Sequence, residues 1–419
     1  MPPVTLPVAG RHEAGRPSQL LPALGFVLAG LAGRALIDKA LALRGGAELV
    51  AHWAQLNSLA DIVGGVALTG IGIGLTGRVA IAAPYRQRRL LGDALRLGLL
   101  LSALCLIACS GLAMSGLLPL VAPAHASLLL PALATGWLLV APGLLVAWLL
   151  GRGQAGRATG VAAGMLAAPL LALWLAAPGA ELTALLGTQA ALGLALTVFL
   201  LFGEGSWPGA LGGGHGLRPF VMAGIAIGIL SPAATAVARL QIASAASWEI
   251  AGAVQALWRS SEWITAIAAG LLNAHFLPRL SATRDAGSFD AELRASARQV
   301  VLPALLALVL LWLLLPQVLA LLYREGLPVG RQDAAAFLAG DALRMLSWIF
   351  LFGLFARGAG WAVTAGELLS LPLFAALLLL LPGPLSLTAI GLAWMLAYAV
   401  YAGFNWWALK RVRTMAVQA

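Results

Sequence analysis

Twelve stretches of this chain are almost purely Ala, Leu, Val and Gly, at roughly 20–43, 49–77, 91–114, 127–150, 156–177, 182–202, 219–243, 249–274, 299–323, 333–357, 362–381 and 386–409. As a helix rising about 1.5 Å per residue, each is long enough to cross about 30 Å of hydrocarbon. Gly and Pro recur inside the stretches, which in lipid marks close packing or local unwinding more often than a helix end. The pattern predicts an all-α integral membrane protein of about twelve transmembrane helices. Composition agrees, because 61% hydrophobic and 10% charged residues would leave a soluble fold without enough polar surface to cover itself.

The polar run EGSWPGALGGGHG, rich in Gly and carrying a Pro, separates six apolar stretches from six. It reads as a linker. The expected organisation is a cytoplasmic tail 1–19, a six-helix half 20–203, a cytoplasmic linker 204–217 and a second six-helix half 218–419, with a cavity between the halves. A weak echo relates them: Arg34 and Trp53 recur as Arg239 and Trp258 at a displacement of 205 positions (239 − 34 and 258 − 53), and in that register Asn57 falls opposite Glu262. Parallel repeats of this kind build a central site with alternating access.

The basic residues set an orientation. With the N-terminus cytoplasmic, Arg11, Arg16, Arg78, Arg86, Arg88, Arg89, Arg96, Arg152, Arg157, Arg218, Arg279, Arg284, Arg294, Arg298, Arg357, Lys410, Arg411 and Arg413 fall inside, 18 of the 26 Lys and Arg. Lys39, Arg44, Arg324 and Arg331 fall outside. The net charge of +10 therefore reads as topology, with both termini cytoplasmic and no nucleic-acid partner. The stretch before Leu20 lacks a convincing cleavage pattern and is expected to be a retained tail.

Ten charges fall within spans: Arg34, Asp38, Lys39, Asp61, Arg239, Arg259, Glu262, Asp341, Arg344 and Glu367. Facing lipid, each costs about 2.5 to 3.5 kcal/mol, and ten such costs would exceed a folding stability of about 5 to 15 kcal/mol. They must face one another, protein or water. One reading is mutual neutralisation within a helix: Arg34 with Asp38 at i, i+4, Arg259 with Glu262 and Asp341 with Arg344 at i, i+3. The other is a watery cavity in which guanidinium forks receive an anionic substrate. The two coexist if acids hold the forks until a ligand displaces them.

Other residues add less. Cys105 and Cys109, one turn apart, are poorly placed for a disulfide and read as buried small hydrophobes. Five scattered histidines give no metal spacing. The run LTGIGIGLTG puts Gly70 and Gly74 on one face, a packing feature, and Pro232 is expected to kink the seventh span. Most of the fourteen tryptophans read as interfacial anchors, with Trp53, Trp258, Trp263 and Trp348 set beside the charged positions. No G-x-S-x-G, H-E-x-x-H or G-x-x-x-x-G-K motif occurs, so no catalytic residue, cofactor or ATP-driven step is expected.

The strings LWRSSEW, FLPRLSA and GDALRMLSWIFLF in the second half, with RALIDKALAL and LTGIGIG in the first, resemble the Wzx flippases, the O-antigen and enterobacterial common antigen translocases of the multidrug/oligosaccharidyl-lipid/polysaccharide exporter superfamily. That resemblance implies a bacterial inner-membrane protein that moves an undecaprenyl-pyrophosphate-linked oligosaccharide to the periplasmic leaflet, with polymerase and chain-length proteins as possible partners. It carries Arg259, Glu262, Asp341 and Arg344 over as cavity residues. Arg34, Arg239 and Asp61 rest on the charge argument alone, and Trp258 is a stacking candidate for sugar. The expected drive is the membrane potential plus cation antiport, protons before sodium, through Glu262 first and then Asp341, Asp61 or Glu367. A multidrug or small-solute exporter and a lipid II flippase are the alternatives. A membrane glycosyltransferase or polymerase would need a long outer loop with catalytic acids.

Overall fold

The computed structural model describes residues 17–115, 121–203, 217–272, 276–283, 285–323, 327 and 329–418. The expected linker, apart from Leu217, and most of the expected tail, including Arg11 and Arg16, lie outside the described residues, as do Arg284 and Arg324. All regular structure among the described residues is helical.

The first helical element, Pro17–Gly65, is broken at Gly46 (φ 70°, ψ −164°), a backbone conformation that favours glycine, into α1 (17–45) and α2. The second rod, α2 (47–81), passes through a π turn at Val66–Ile71 before Gly72–Ile81. The first half continues with α3 (Pro84–Met114), α4 (Pro123–Gly151), α5 (Ala155–Leu175) and α6 (Glu181–Leu201). The second contains α7 (Arg218–Ala245), α8 (Trp248–Leu271), α9 (Ala286–Leu313), α10 (Arg331–Ala356), α11 (Gly360–Leu380) and α12 (Leu387–Gln418). Ten helical stretches are long and apolar enough to cross a membrane. The first of them, Leu28–Ala80, contains the turn at Gly46 and so makes two crossings. The twelfth crossing is α8, whose Glu249, Arg259 and Glu262 dilute its hydropathy.

The ninth span departs most from its expected place. The sequence pattern put it at 299–323, but α9 begins at Ala286, where the Asp285 carboxylate accepts from the Ser288 N–H at 2.7 Å and caps the helix. It ends at Leu313, and a separate short helix, Leu315–Leu322, follows with Pro316 in its first turn. Charges at 290–298 hid the start, and the apolar run past the break hid the end.

Buried side chains are distributed unevenly along the bundle. Toward the end carrying Gly46, His125 and Trp248, one continuous cluster runs through both halves, from Ile37 and Leu56 to Ala253, Phe337 and Tyr401. Toward the other end there are two: Ala67, Leu75, Leu95, Leu144 and Leu149 within the first half, and Leu280, Phe289, Leu354 and Leu409 within the second. The halves share a core at one end and keep separate cores at the other.

Helix α2 forms much of the seam. A Cβ on Gly65 would lie 2.0 Å from the Gly228 carbonyl oxygen of α7, and one on Gly228 would lie 2.2 Å from that of Gly65. Nearer the shared-core end, a Cβ on Gly252 of α8 would lie 2.0 Å from the Ala47 oxygen. The halves thus meet backbone to backbone at two places along one helix.

Candidate functional site

Between the halves lies a cavity of about 490 Å³. Its charged lining residues are Arg34 and Asp38 of α1, Asp61 of α2, Arg239 of α7, and Arg259 and Glu262 of α8. Three arginines face three carboxylates, so the formal charges cancel. Asn57, Gln189 and Trp258 add polar or aromatic surface.

The ion pairs cross between halves. Arg259 Nε donates to Asp38 Oδ2 at 2.9 Å. Arg34 Nη1 stands 3.6 Å from Glu262 Oε1, and Glu262 also accepts a close hydrogen bond from Arg259 on its own helix. The expected pair within α1, Arg34 with Asp38, is therefore corrected: each residue looks to the opposite half. The reason is geometric, since Asp38 and Arg34 face α8, where Arg259 and Glu262 stand within 2.9 Å and 3.6 Å of them. Burial separates the partners, with Asp38 2% exposed and the Arg34 side chain 59% exposed.

Arg239 is held differently. It is buried and donates to Gln55 Oε1 at 3.0 Å, Ser58 Oγ at 3.1 Å and Gln255 Oε1 at 2.9 Å. Gln55 and Ser58 belong to α2 and Gln255 to α8, so neutral acceptors from both halves cradle this cation. Sequence reasoning missed all three. Their one legible trace is the i, i+3 spacing of Gln55 and Ser58, which puts both on one helix face.

Asp341, Arg344 and Glu367 lie off the cavity lining, inside the second half. Arg344 stacks on Trp348 at 4.8 Å and Tyr398 at 5.7 Å, and stands 3.9 Å from Asp341. Tyr401 donates to Glu367 Oε1 at 2.9 Å. Rings connect this cluster to the cavity: Trp258 lies 5.2 Å from Trp394, which lies 4.6 Å from Tyr398. Lys39 donates to the Leu321 carbonyl.

The 205-residue echo has a spatial counterpart, because Arg34, Arg239, Trp53, Trp258, Asn57 and Glu262 all line the cavity. Of the other tryptophans singled out, Trp348 lies under Arg344 and Trp263 is outside the lining. Pro232 sits within α7 and lines the cavity. Cys105 and Cys109 are half-buried free thiols, 4.0 Å apart, less enclosed than the buried small hydrophobes expected. Among the described residues no group of three His, Cys, Asp or Glu is placed to hold a metal.

A second space of about 470 Å³ adjoins the first and shares Arg34, Leu139, Met165, Leu166 and Glu262 with it. Beyond those residues it is apolar, walled by Gly30, Leu31, Pro142, Val146, Ala162 and Ala266. Ala162 is seven residues from the start of α5, and Val146 and Ala266 are each five from the ends of α4 and α8. This space therefore runs toward the end where the cores separate.

No family model matches the sequence, and a search of curated proteins finds no match. Solved structures do resemble it. An inward-facing multidrug resistance MATE family transporter of the MOP superfamily superposes with a TM-score of 0.69 at 12% identity, covering 93% of this chain and 96% of that one. An outward-facing structure of the same description gives 0.56 at 14% identity, with the same coverage. A MOP superfamily transporter from Pyrococcus furiosus, described as having a binding pocket of reverse polarity, gives 0.63 at 16% identity over 96% of this chain and 97% of that one. The chain thus has the twelve-helix, two-half fold of MOP superfamily transporters.

Proposed function

We propose that the protein is a flippase for an amphiphile with an anionic head, of the undecaprenyl-pyrophosphate-linked oligosaccharide class, in the bacterial inner membrane. The observation that carries this reading is the shared wall: a cavity lined by charged and polar residues and an apolar groove meet at Arg34 and Glu262. A pyrophosphate and glycan suit the first and a prenyl chain the second. Arg34, largely exposed at the junction, is where the diphosphate would sit, and the planar fork of Arg259 is the second anion contact. Trp258, partly open to the cavity, offers a stacking face to sugar rings.

The end at which the cores separate carries Arg78, Arg86, Arg152, Arg157, Arg279 and Arg357, which makes it the cytoplasmic side by the positive-inside rule. The groove then opens to the cytoplasmic leaflet, from which such a substrate is loaded, and both termini are cytoplasmic. The better superposition on the inward-facing transporter supports the same state. Rocking of the halves about α2 would carry the head outward. A head of about two negative charges gains about 4.6 kcal/mol from a 100 mV potential, negative inside. A coupling cation, proton before sodium, is assigned to Asp341 and Glu367, because Glu262 is engaged by two arginines.

One observation favours a small-solute or multidrug exporter instead, namely the zero sum of the cavity charges together with Asp61, which is exposed to it. Proteoliposomes loaded with a lipid-linked glycan on one leaflet decide between the two. Glycan reaching the other leaflet only with protein present supports the flippase. Transport of an organic cation without glycan movement would replace it with the exporter.

A further inference from the structure

The arginines that would receive an anion are not free, and the groups occupying them are carboxylates: Asp38, enclosed at 2% exposed, and Glu262, one-third exposed at the cavity. Arg259 is shared by Asp38 and Glu262, and Arg34 is drawn to Glu262. The other charged and titratable groups acting on these acids are Arg344 from α10, Tyr323 after the short helix that follows α9, and Asp61 and Arg239 across the cavity. None of these is a spare cation placed to take over from Arg259. Asp38 is 2% exposed, so once its guanidinium turns to a ligand it has no water to replace the lost charge, and a buried carboxylate in that position is neutralised by a proton. The cavity's balance points the same way, because a dianion added to three arginines and three acids leaves a net negative charge that protons on the released acids would offset.

We infer that an anion entering this cavity binds together with protons: it takes the Arg259 and Arg34 guanidinium groups, and Asp38 and Glu262 take up protons as they are released. The inference rests on reading the cavity as an anion site. By reciprocity of linked binding, acidification then tightens anion binding and the bound anion raises proton occupancy. This is the reverse of a cationic-drug site, where proton and substrate compete for the same acid. Protons that stay on Asp38 and Glu262 during the crossing travel in the direction of the anion and lower the electrical gain by one charge each, so an antiported cation must use other groups.

The test is titration calorimetry on the full-length protein in detergent, with farnesyl-pyrophosphoryl-N-acetylglucosamine as the probe, a diester whose charge is fixed near neutral pH. Runs at one pH in buffers of different ionisation enthalpy count the protons exchanged. The expected result is an uptake of about one to two protons per probe, and an affinity that rises about tenfold per pH unit lowered for each proton taken up. The double variant Asp38→Asn, Glu262→Gln is expected to bind the probe more tightly at neutral pH, with no uptake and a flat pH response. Binding by the wild-type protein without uptake, or with release, overturns the inference while leaving the anion site standing. Absence of wild-type binding removes the anion site and this inference with it. The wild-type measurement is sufficient if the double variant does not fold.

Discussion

Two groups of buried charge lie within a few ring contacts of each other and are built on opposite plans. In the central cavity, Asp38 and Arg259 come from different halves, as do Arg34 and Glu262. In the second cluster, Asp341, Arg344, Glu367 and Tyr401 all belong to one half. Relative motion of the halves must stretch or break the first set and can leave the second intact. Charges that cross the seam are suited to sense a ligand and the state of the cavity. Charges within a half can hold an ion through the whole cycle.

The largest expected effect is on transport. Arg259→Ala should abolish glycan movement in proteoliposomes while membrane levels of the protein hold, and Arg259→Lys should restore part of it because the charge returns without the bidentate fork. Loss of the protein itself in the Ala variant would make the crossing pairs primarily structural. Next comes stability: Asp38→Asn leaves Arg259 without its cross-seam charge and should cost about 3 kcal/mol, read by denaturation in detergent. Glu367→Gln keeps an acceptor for Tyr401 and should cost about 1 kcal/mol. Equal costs would erase the contrast between the plans.

The contrast sharpens with a gradient. Glu367→Gln and Asp341→Asn should still bind the diphosphate probe but lose any quickening of flipping when a proton gradient is imposed. An unchanged response would move coupling out of the second cluster. The smallest effect is on activity in a labelling experiment that fixes direction: a cysteine at Pro123 should react from the periplasm and one at Gly287 from the cytoplasm. Reversed accessibility would turn the groove toward the opposite leaflet and defeat the loading argument.

The helices were legible because lipid imposes a long apolar run on each crossing, and those runs locate eleven of the rods to within several residues. The ninth slipped because Asp285 caps a helix that starts in charged sequence, which a hydropathy window discounts. The site was legible as a list of residues more than as a set of bonds. Spacing within α1 pointed Arg34 at Asp38, yet the partner of Asp38 lies 221 positions away, a separation on which local periodicity is silent. Gln55 and Gln255 drew no notice because a neutral amide in a span signals little until a buried guanidinium is seen between them.

Gly65 and Gly228 carry a consequence for genetics. Each occupies the space a methyl group would need on the other, so the two positions behave as one locus divided between the halves. Even alanine at either should be rejected in a functional screen. Second-site suppressors of such a lesion should arise in the opposite half, along α7 for Gly65 and along α2 for Gly228, in place of its own helix.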